Sequence, residues 1–228
     1  MMKSEPQQLL EYNTWKQDSL QRGYFFETER TDIINTLIDK YNYVNYLEIG
    51  VNDGNNIKRI KAEHIDGVDP GIEGKDVPET NYKITSDEFF NLIKDSGIKY
   101  DIIFIDGLHH DYQVLKDIQN ALKHITDNGT IVCHDMNPRW ELSTRREPAG
   151  VCWNGDCWKT WAQLRTTLTG YSMEVVDTDH GVGIIRKGEQ TLLDNVVSDY
   201  WEMEVNRKEI LNLITVEEFN QKYGTKGS

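Results

Sequence analysis

The chain has 228 residues, enough for one α/β domain with additions. It carries 25 lysines and arginines against 38 aspartates and glutamates, a formal net charge of -13, which argues against a surface built to neutralise nucleic-acid phosphates or an anionic membrane. No stretch nears the roughly 18 apolar residues of a bilayer span, and the N-terminal MMKSEPQQLLEYNTW lacks the apolar core of a secretory signal, so a cytoplasmic protein without nucleic-acid or membrane partners is expected. Cys133, Cys152 and Cys157 show no CxxC pairing and read as ordinary thiols.

Residues 1–42 read as a helical extension, with Ile33, Ile34, Leu37 and Ile38 forming an apolar stripe. From Tyr43 to Ile125, short aliphatic runs alternate with helical periodicity, the pattern of a doubly wound, mostly parallel α/β sheet. The expected strands are YVNYLEIG, HIDGVDP, NYKITS, YDIIFIDG and GTIVCHD. Between them, DEFFNLIKDSG has a stripe of Phe89, Leu92 and Ile93 with Ser86 as N-cap, and DYQVLKDIQNALKHI carries Val114, Leu115, Ile118, Leu122 and Ile125 at helix spacing. Residues 137–165 hold four of the six tryptophans and read as a long excursion that ends in a helix. YSMEVVDTDHGVGIIRKG then reads as an antiparallel hairpin. The tail, 189–228, resumes helical patterning, with a capping box formed by Thr215 and Glu218. The central domain therefore spans 43–188.

Ligands of an open parallel sheet sit beyond the carboxyl ends of its strands, and here those ends carry acids: Glu48, Asp69, Asp87, Asp106 and, after His134, Asp135. A glycine turn before a helix commonly takes phosphate. Carboxylates at the same tips oppose that, since a charge pair at about 4 Å and an effective dielectric of about 20 is worth roughly 4 kcal/mol. The turn NYLEIGVNDGNN has Gly50 and Gly54 but no G-x-G-x-x-G, and no phosphate-loop motif occurs in the chain. What remains is E-x-G-x-x-x-G with Asp69 about 20 residues on, where a carboxylate can take a ribose diol. S-adenosyl-L-methionine offers that ribose with a sulfonium, an ammonium and no phosphate. Each residue also has a plainer reading: Glu48 and Gly50 in a simple turn, Asp69 before Pro70 as a turn initiator, Ser86 and Asp87 as a helix cap.

Taken together, YLEIGVNDGNN, GVDP, TSDEFF, FIDGLHHDY and CHDMNP resemble the class I S-adenosylmethionine-dependent methyltransferases, in particular the small-molecule O-methyltransferase branch called methyltransferase family 24. The resemblance covers about residues 43–138 and extends through the hairpin to about 188. It implies a seven-stranded Rossmann-like sheet whose last strand is antiparallel. It further implies that Glu48 faces the methionine ammonium, that Gly50, Asn52 and Gly54 line the cofactor turn, that Asp69 holds the ribose, and that Ser86 and Asp87 meet the adenine edge, with Asp106 also beside the cofactor.

Transfer to oxygen needs an acceptor close to deprotonation, through a general base or a Lewis acid. His109 lies just past a strand end and suits the first role. Metal-dependent catechol-type relatives hold Mg2+ with an aspartate at one strand end and an Asp-Asn pair at the next, and place a lysine base three residues after the first aspartate. That resemblance implies Asp106 and Asp135 as metal ligands and His109 in the place of the base. Met136 departs from the expected asparagine, so His134, Asn137 or water would have to complete a magnesium site. His134 also stands as ligand, base or orienter, whereas His64, His124 and His180 form no constellation.

The excursion combines Trp140, Trp153, Trp158 and Trp161 with Arg139, Arg145 and Arg146, and is expected to order around the acceptor over residues 137–160. The alternative is that Trp158, Trp161 and Leu164, at helix spacing, only pack a helix onto the sheet. The expected activity is methyl transfer to a hydroxyl of a small polar acceptor such as a sugar, glycoside or natural product. The competing readings are a metal-dependent tailoring hydroxylase of the same fold and a non-catalytic cofactor-binding subunit, whose terminal helices would suit a partner or homodimer interface.

Overall fold

The computed structural model describes residues 2–71 and 79–224. Strands β1 (Asn45–Ile49), β2 (His64–Val68), β3 (Tyr100–Ile105), β4 (Ile125–Cys133), β5 (Tyr171–Val176), β6 (Val182–Lys187) and β7 (Leu213–Ile214) form one sheet in the order β2-β1-β3-β4-β6-β5-β7. β6 alone runs against its neighbours β4 and β5, and the other pairings are parallel. The fold class expected from the sequence is thus observed, with the antiparallel strand supplied by the second arm of the predicted hairpin.

Two strands differ from expectation. NYKITS contributes only an isolated bridge from Tyr82 to Val68, and the seventh strand comes instead from the tail, where Leu213 and Ile214 pair with Val175 and Val176. A single bridge suffices there because the Asn81 side chain accepts from the Gly67 amide at 2.8 Å, fixing the segment without a ladder.

The strands are apolar on both faces because both are covered. α2 (Arg30–Tyr41) buries Ile33, Ile34, Leu37 and Ile38 on one face, beside Phe219 and Tyr223 of α8 (Val216–Tyr223). On the other face lie α3 (Ser86–Ile93), α4 (Asp111–His124), α5 (Cys157–Thr167), α6 (Tyr200–Val205) and α7 (Arg207–Leu211). In α3 the buried stripe is Phe89, Phe90 and Ile93, while Leu92 is 64% exposed, and Thr85 rather than Ser86 is the N-cap, accepting from the Glu88 amide at 3.2 Å. Shifting the cap by one residue leaves Ser86 as the first helical residue. Thr215 and Glu218 form the expected capping box at α8. Among the described residues, no helix is long and apolar enough to cross a membrane.

Both terminal segments are built into the domain. α1 (Glu5–Arg22) lays Tyr12 and Trp15 against Trp140 with ring centroids 5.3 and 5.5 Å apart, and Gln8 accepts from the Leu142 amide at 3.1 Å. At the other end Glu174 accepts from Tyr223 Oη at 2.5 Å and Lys222 Nζ at 2.8 Å, pinning α8.

Trp158 and Trp161 of α5 are fully buried, so within the helix the packing reading applies. Trp161 donates Nε1 to the Leu211 carbonyl at 3.1 Å, and its ring fills the space a side chain at Gly183 would need. Trp161→Ala is expected to lower stability by about 3–5 kcal/mol, measured by urea unfolding. A loss below about 1 kcal/mol would show that α5 is not a pillar of this face.

Candidate active site

The glycine turn follows β1 directly. Gly50 (φ 89°), Asn52 (φ 49°) and Gly54 (φ 74°) are all left-handed, so the chain reverses sharply. A Cβ on Gly50 would overlap the Asp106 carbonyl. The missing side chain therefore lets the tips of β1 and β3 touch. Asp69 reaches across from β2, accepting from the Asn52 amide at 2.8 Å and the Gly71 amide at 2.7 Å. Beyond the turn comes only a short 3-10 segment, Ile57–Arg59. Without an α-helix the turn lacks the dipole that favours phosphate.

Glu48 lies beneath the turn. Strand alternation projects Tyr46 and Glu48 from the same face, so the carboxylate is buried, accepting from Tyr46 Oη at 2.5 Å and Asn56 Nδ2 at 2.8 Å. Burial raises its pKa to about 7 against the lowering effect of those two donors. The negative charge expected at the rim is therefore partly withdrawn beneath the turn, leaving Asp69 and the exposed Asp53 above it. Ser86 and Asp87 stand half-buried at the start of α3, both receiving Gln113 Nε2 of α4, at 3.1 and 3.2 Å.

A second cluster forms where β3 and β4 end. His134 Nδ1 lies 3.2 Å from Asp106 Oδ1 and 3.4 Å from Asp135 Oδ2, while the two ring nitrogens of His109 lie 3.4 Å from Asp106 and 3.3 Å from Asp135. Two imidazoles thus bridge two carboxylates. The cluster extends to residues that the sequence reading missed. Arg30, the first residue of α2, donates its amide to Asp179 at 2.8 Å and its guanidinium to the same carboxylate at 3.1 Å, with Nε 3.8 Å from Asp106. Asp179 also lies 3.5 Å from His134 Nε2. The signal lay in the hairpin turn DTDHG, where Asp179 (φ 42°) and His180 (φ 62°) hold left-handed conformations, unusual for side-chain-bearing residues and enriched at functional sites.

The excursion closes over this cluster. Asn154 Nδ2 donates to Asp135, and Trp153 stacks on His109 with ring centroids 4.9 Å apart while its carbonyl lies 3.2 Å from His109 Nδ1. A side chain at Gly155 would overlap the His109 carbonyl. His110 turns away, toward Tyr112.

Burial opposes charge throughout the cluster, and the partners reverse it. Burial would lower the pKa of His109, yet Asp135 and Asp106 raise it to about 9. Burial would likewise lower His134, which Asp135, Asp106 and Asp179 push well up. Asp106, Asp135 and Asp179 are each raised by burial and held below the usual range chiefly by His134. At neutral pH, three carboxylates therefore face Arg30 and two imidazolium ions.

Asp106, His134 and Asp135 offer ligand atoms within 4.8 Å of one another, a donor set that fits a divalent cation through two carboxylate oxygens and one imidazole nitrogen. Met136 is buried in the core, and Asn137 is turned to Asp177 and Arg207, so of the protein groups considered to complete such a site only His134 is in place.

These shifts make stability depend on pH. Histidine pKa values raised on folding stabilise fully below about pH 6.5 and lose that contribution as pH rises through about 9; the lowered aspartates stabilise above about pH 4 and lose theirs on acidification. His109→Gln is expected to flatten the fall in stability between pH 6.5 and 9 by up to about 3 kcal/mol in urea titrations. An unchanged pH profile would mean that His109 is not held charged by the two aspartates.

A family profile described as a methyltransferase domain, methyltransferase family 24, matches residues 16–136, more than half of the chain. No curated protein matches it in sequence. Among solved structures, the O-methyltransferase from Bacillus cereus in complex with SAH is 14% identical, with TM-score 0.54 over 82% of this chain and 93% of that one. The SAH-bound methyltransferase PaMTH1 of Podospora anserina is 16% identical, with TM-score 0.53 over 80% and 88%. The O-methyltransferase TomG of Streptomyces achromogenes, in complex with SAM, is 11% identical, with TM-score 0.50 over 82% and 91%. At such identities the likeness is one of fold. The profile reaches from α1 through the glycine turn to the end of β4, and on that match the chain belongs to the methyltransferases of family 24.

Proposed function

We propose that the chain transfers the methyl group of S-adenosyl-L-methionine to a hydroxyl of a small polar acceptor, with the cofactor over the glycine turn and the acceptor over the His-Asp cluster. One observation carries this reading: the two sites meet at Asp106, whose backbone abuts Gly50 of the turn while its carboxylate joins His109 and His134. A donor over one and an acceptor over the other would be adjacent, as an in-line displacement requires. The SAH- and SAM-bound relatives of the same fold support the choice of cofactor.

The cofactor, when bound, supplies an electrophilic methyl on a sulfonium. The chain's residues do the rest. Asp69 fixes Asn52 and with it the turn, and would hold the ribose of the cofactor. Ser86 and Asp87, which share Gln113 Nε2, would hold the adenine. His109 takes the hydroxyl proton, and Asp106 and Asp135 stabilise the imidazolium that results. Trp153 and Asn154 exclude water from this transfer. Where Mg2+ binds, Asp106, His134 and Asp135 would hold it, and it would lower the pKa of the acceptor hydroxyl.

A His109 pKa of about 9 means that only about one molecule in a hundred carries the neutral base at pH 7. Methyl transfer is therefore expected to accelerate about tenfold per pH unit up to about pH 9. His109→Gln should lower kcat by roughly 10^2 to 10^4 and abolish that rise, measured by SAH release across the pH range. A pH-independent rate would remove His109 from the chemistry.

Calorimetry tests the cofactor half. Asp69→Asn should weaken SAH binding by roughly tenfold or more, about 1.4 kcal/mol, while Asp135→Asn should leave it unchanged and remove binding of added MgCl2. Undiminished SAH affinity in Asp69→Asn would overturn the ribose assignment, and a chain that binds NADH instead would overturn the cofactor.

A further inference from the structure

Burying a polar atom without a hydrogen-bond partner is costly, and each instance calls for an explanation such as an ion or a bound water. Among the described residues, the buried side-chain atoms in this position are Arg30 Nε, Asn154 Oδ1, Trp158 Nε1 and Arg165 Nε. All but one are N–H donors, which a cation would not meet. Asn154 Oδ1 is the acceptor among them, and its side chain sits on the His-Asp cluster.

Asn154 is 1% exposed and held at several points. Its backbone amide donates to the Ser143 carbonyl at 2.9 Å, its carbonyl accepts from Cys157 Sγ at 3.1 Å, and the next residue, Gly155, is pressed on the His109 carbonyl. Its side chain donates Nδ2 to Asp135 Oδ1. The reverse orientation would set the amide oxygen against a carboxylate, so Asp135 itself fixes which atom is left unpartnered. Because Oδ1 shares a carbon with Nδ2, it too lies beside Asp135.

The neighbouring carboxylates divide their oxygens. Asp106 turns Oδ2 toward Arg30 and Oδ1 toward His134 Nδ1, 3.2 Å away. Asp135 turns Oδ1 to Asn154 and Oδ2 toward the same imidazole nitrogen, 3.4 Å away. One oxygen from each carboxylate therefore converges on one nitrogen. Asp135 and Asn154 are both buried, so what meets the amide oxygen under the closed cover is no larger than an ion or a water.

We infer that Asn154 Oδ1 is the fourth protein ligand of a divalent cation held by Asp106, His134 and Asp135, and that this cation is a first-row transition ion. Asn154 supplies from the excursion the amide oxygen that Met136 lacks. An imidazole among oxygen donors suits a transition ion, whereas Mg2+ favours oxygen ligands and water throughout. This assignment rests on the metal trio named above and adds to it one ligand and the class of ion.

Mn2+ serves as the probe, because its EPR signal broadens when the ion binds. Mn2+ titrated into the full chain should bind, and Mg2+ should displace it only at about tenfold or greater excess. Asp135→Asn should lose this binding and Asn154→Ala should weaken it about tenfold or more, with folding checked by urea unfolding. Asn154→Asp separates ligation from mere support: it keeps an oxygen ligand but removes the Nδ2 donor and sets a second charge beside Asp135. As a ligand, the aspartate variant should hold Mn2+ within a few-fold of the wild type; as a mere support for Asp135, it should be the worse of the two variants. Should the alanine variant fail to fold, the aspartate variant alone decides. Wild-type affinity in Asn154→Ala, or loss of Mn2+ in Asn154→Asp, refutes the ligand while the trio stands, and leaves the oxygen to a water. Displacement by Mg2+ at equal concentration refutes the class of ion. If the wild-type chain binds no Mn2+, the trio beneath the assignment fails, while SAH calorimetry judges the cofactor reading separately.

Discussion

Three carboxylates clustered at one end of a sheet, two of them buried and the third nearly so, cannot stay charged without cations, and meeting that demand ties distant parts of this chain together. Asp106, Asp135 and Asp179 come from the ends of β3 and β4 and from the β5–β6 turn, while the cations are Arg30 from α2 with His109 and His134. Removing one partner of such a cluster strands a charge in a low-dielectric site and is far more costly than an apolar replacement of the whole would be. The position of α2 and the strained hairpin turn serve the same requirement. The N-terminal segment is therefore a structural member of the site.

The tryptophan-rich excursion divides by depth into two kinds of work. Trp158 and Trp161 are sealed in the core and fix α5. Trp153 and Asn154, a few residues earlier, lie on the cluster itself, held because Asp156 accepts from the Asp111 amide at 2.8 Å and pairs with Arg146 at 3.0 Å. A rigid helix thus anchors a short cover that meets the cluster through one hydrogen bond and one ring stack.

Much of the fold was legible because it rests on local periodicity. Alternating β and α patterns gave the covered sheet, and the Ile33 to Ile38 stripe gave α2. The misreadings share a cause. Nothing local distinguishes NYKITS from a paired strand, or Leu213–Ile214 from helix, because neighbours supplied by the tertiary structure decide both. Leu92 and Phe90 exchanged places because both lie three residues from one of the two fixed core positions, Phe89 and Ile93, and only the packing of α3 against the sheet decides which is covered. In the site, Asp106, His109, His134 and Asp135 were legible as strand-end residues and do converge. Arg30 was not, since its partner Asp179 lies 149 residues away. The glycine motif suggested Glu48 as a rim charge, yet strand alternation buries it against Tyr46.

That last difference changes why the turn should refuse phosphate. A row of charged acids was expected to repel it, but Glu48, with a pKa of about 7, supplies only part of that field. Two other features act in the same direction. Asp69 occupies the Asn52 and Gly71 amides that a phosphate would need, and the 3-10 segment after the turn offers no helix dipole. The anion-binding groups of a nucleotide loop are thus already satisfied by the protein's own carboxylate. A ligand that makes few demands on backbone donors and brings positive charge suits such a turn, whose Gly50 rests on the backbone of the same Asp106 that meets the histidines.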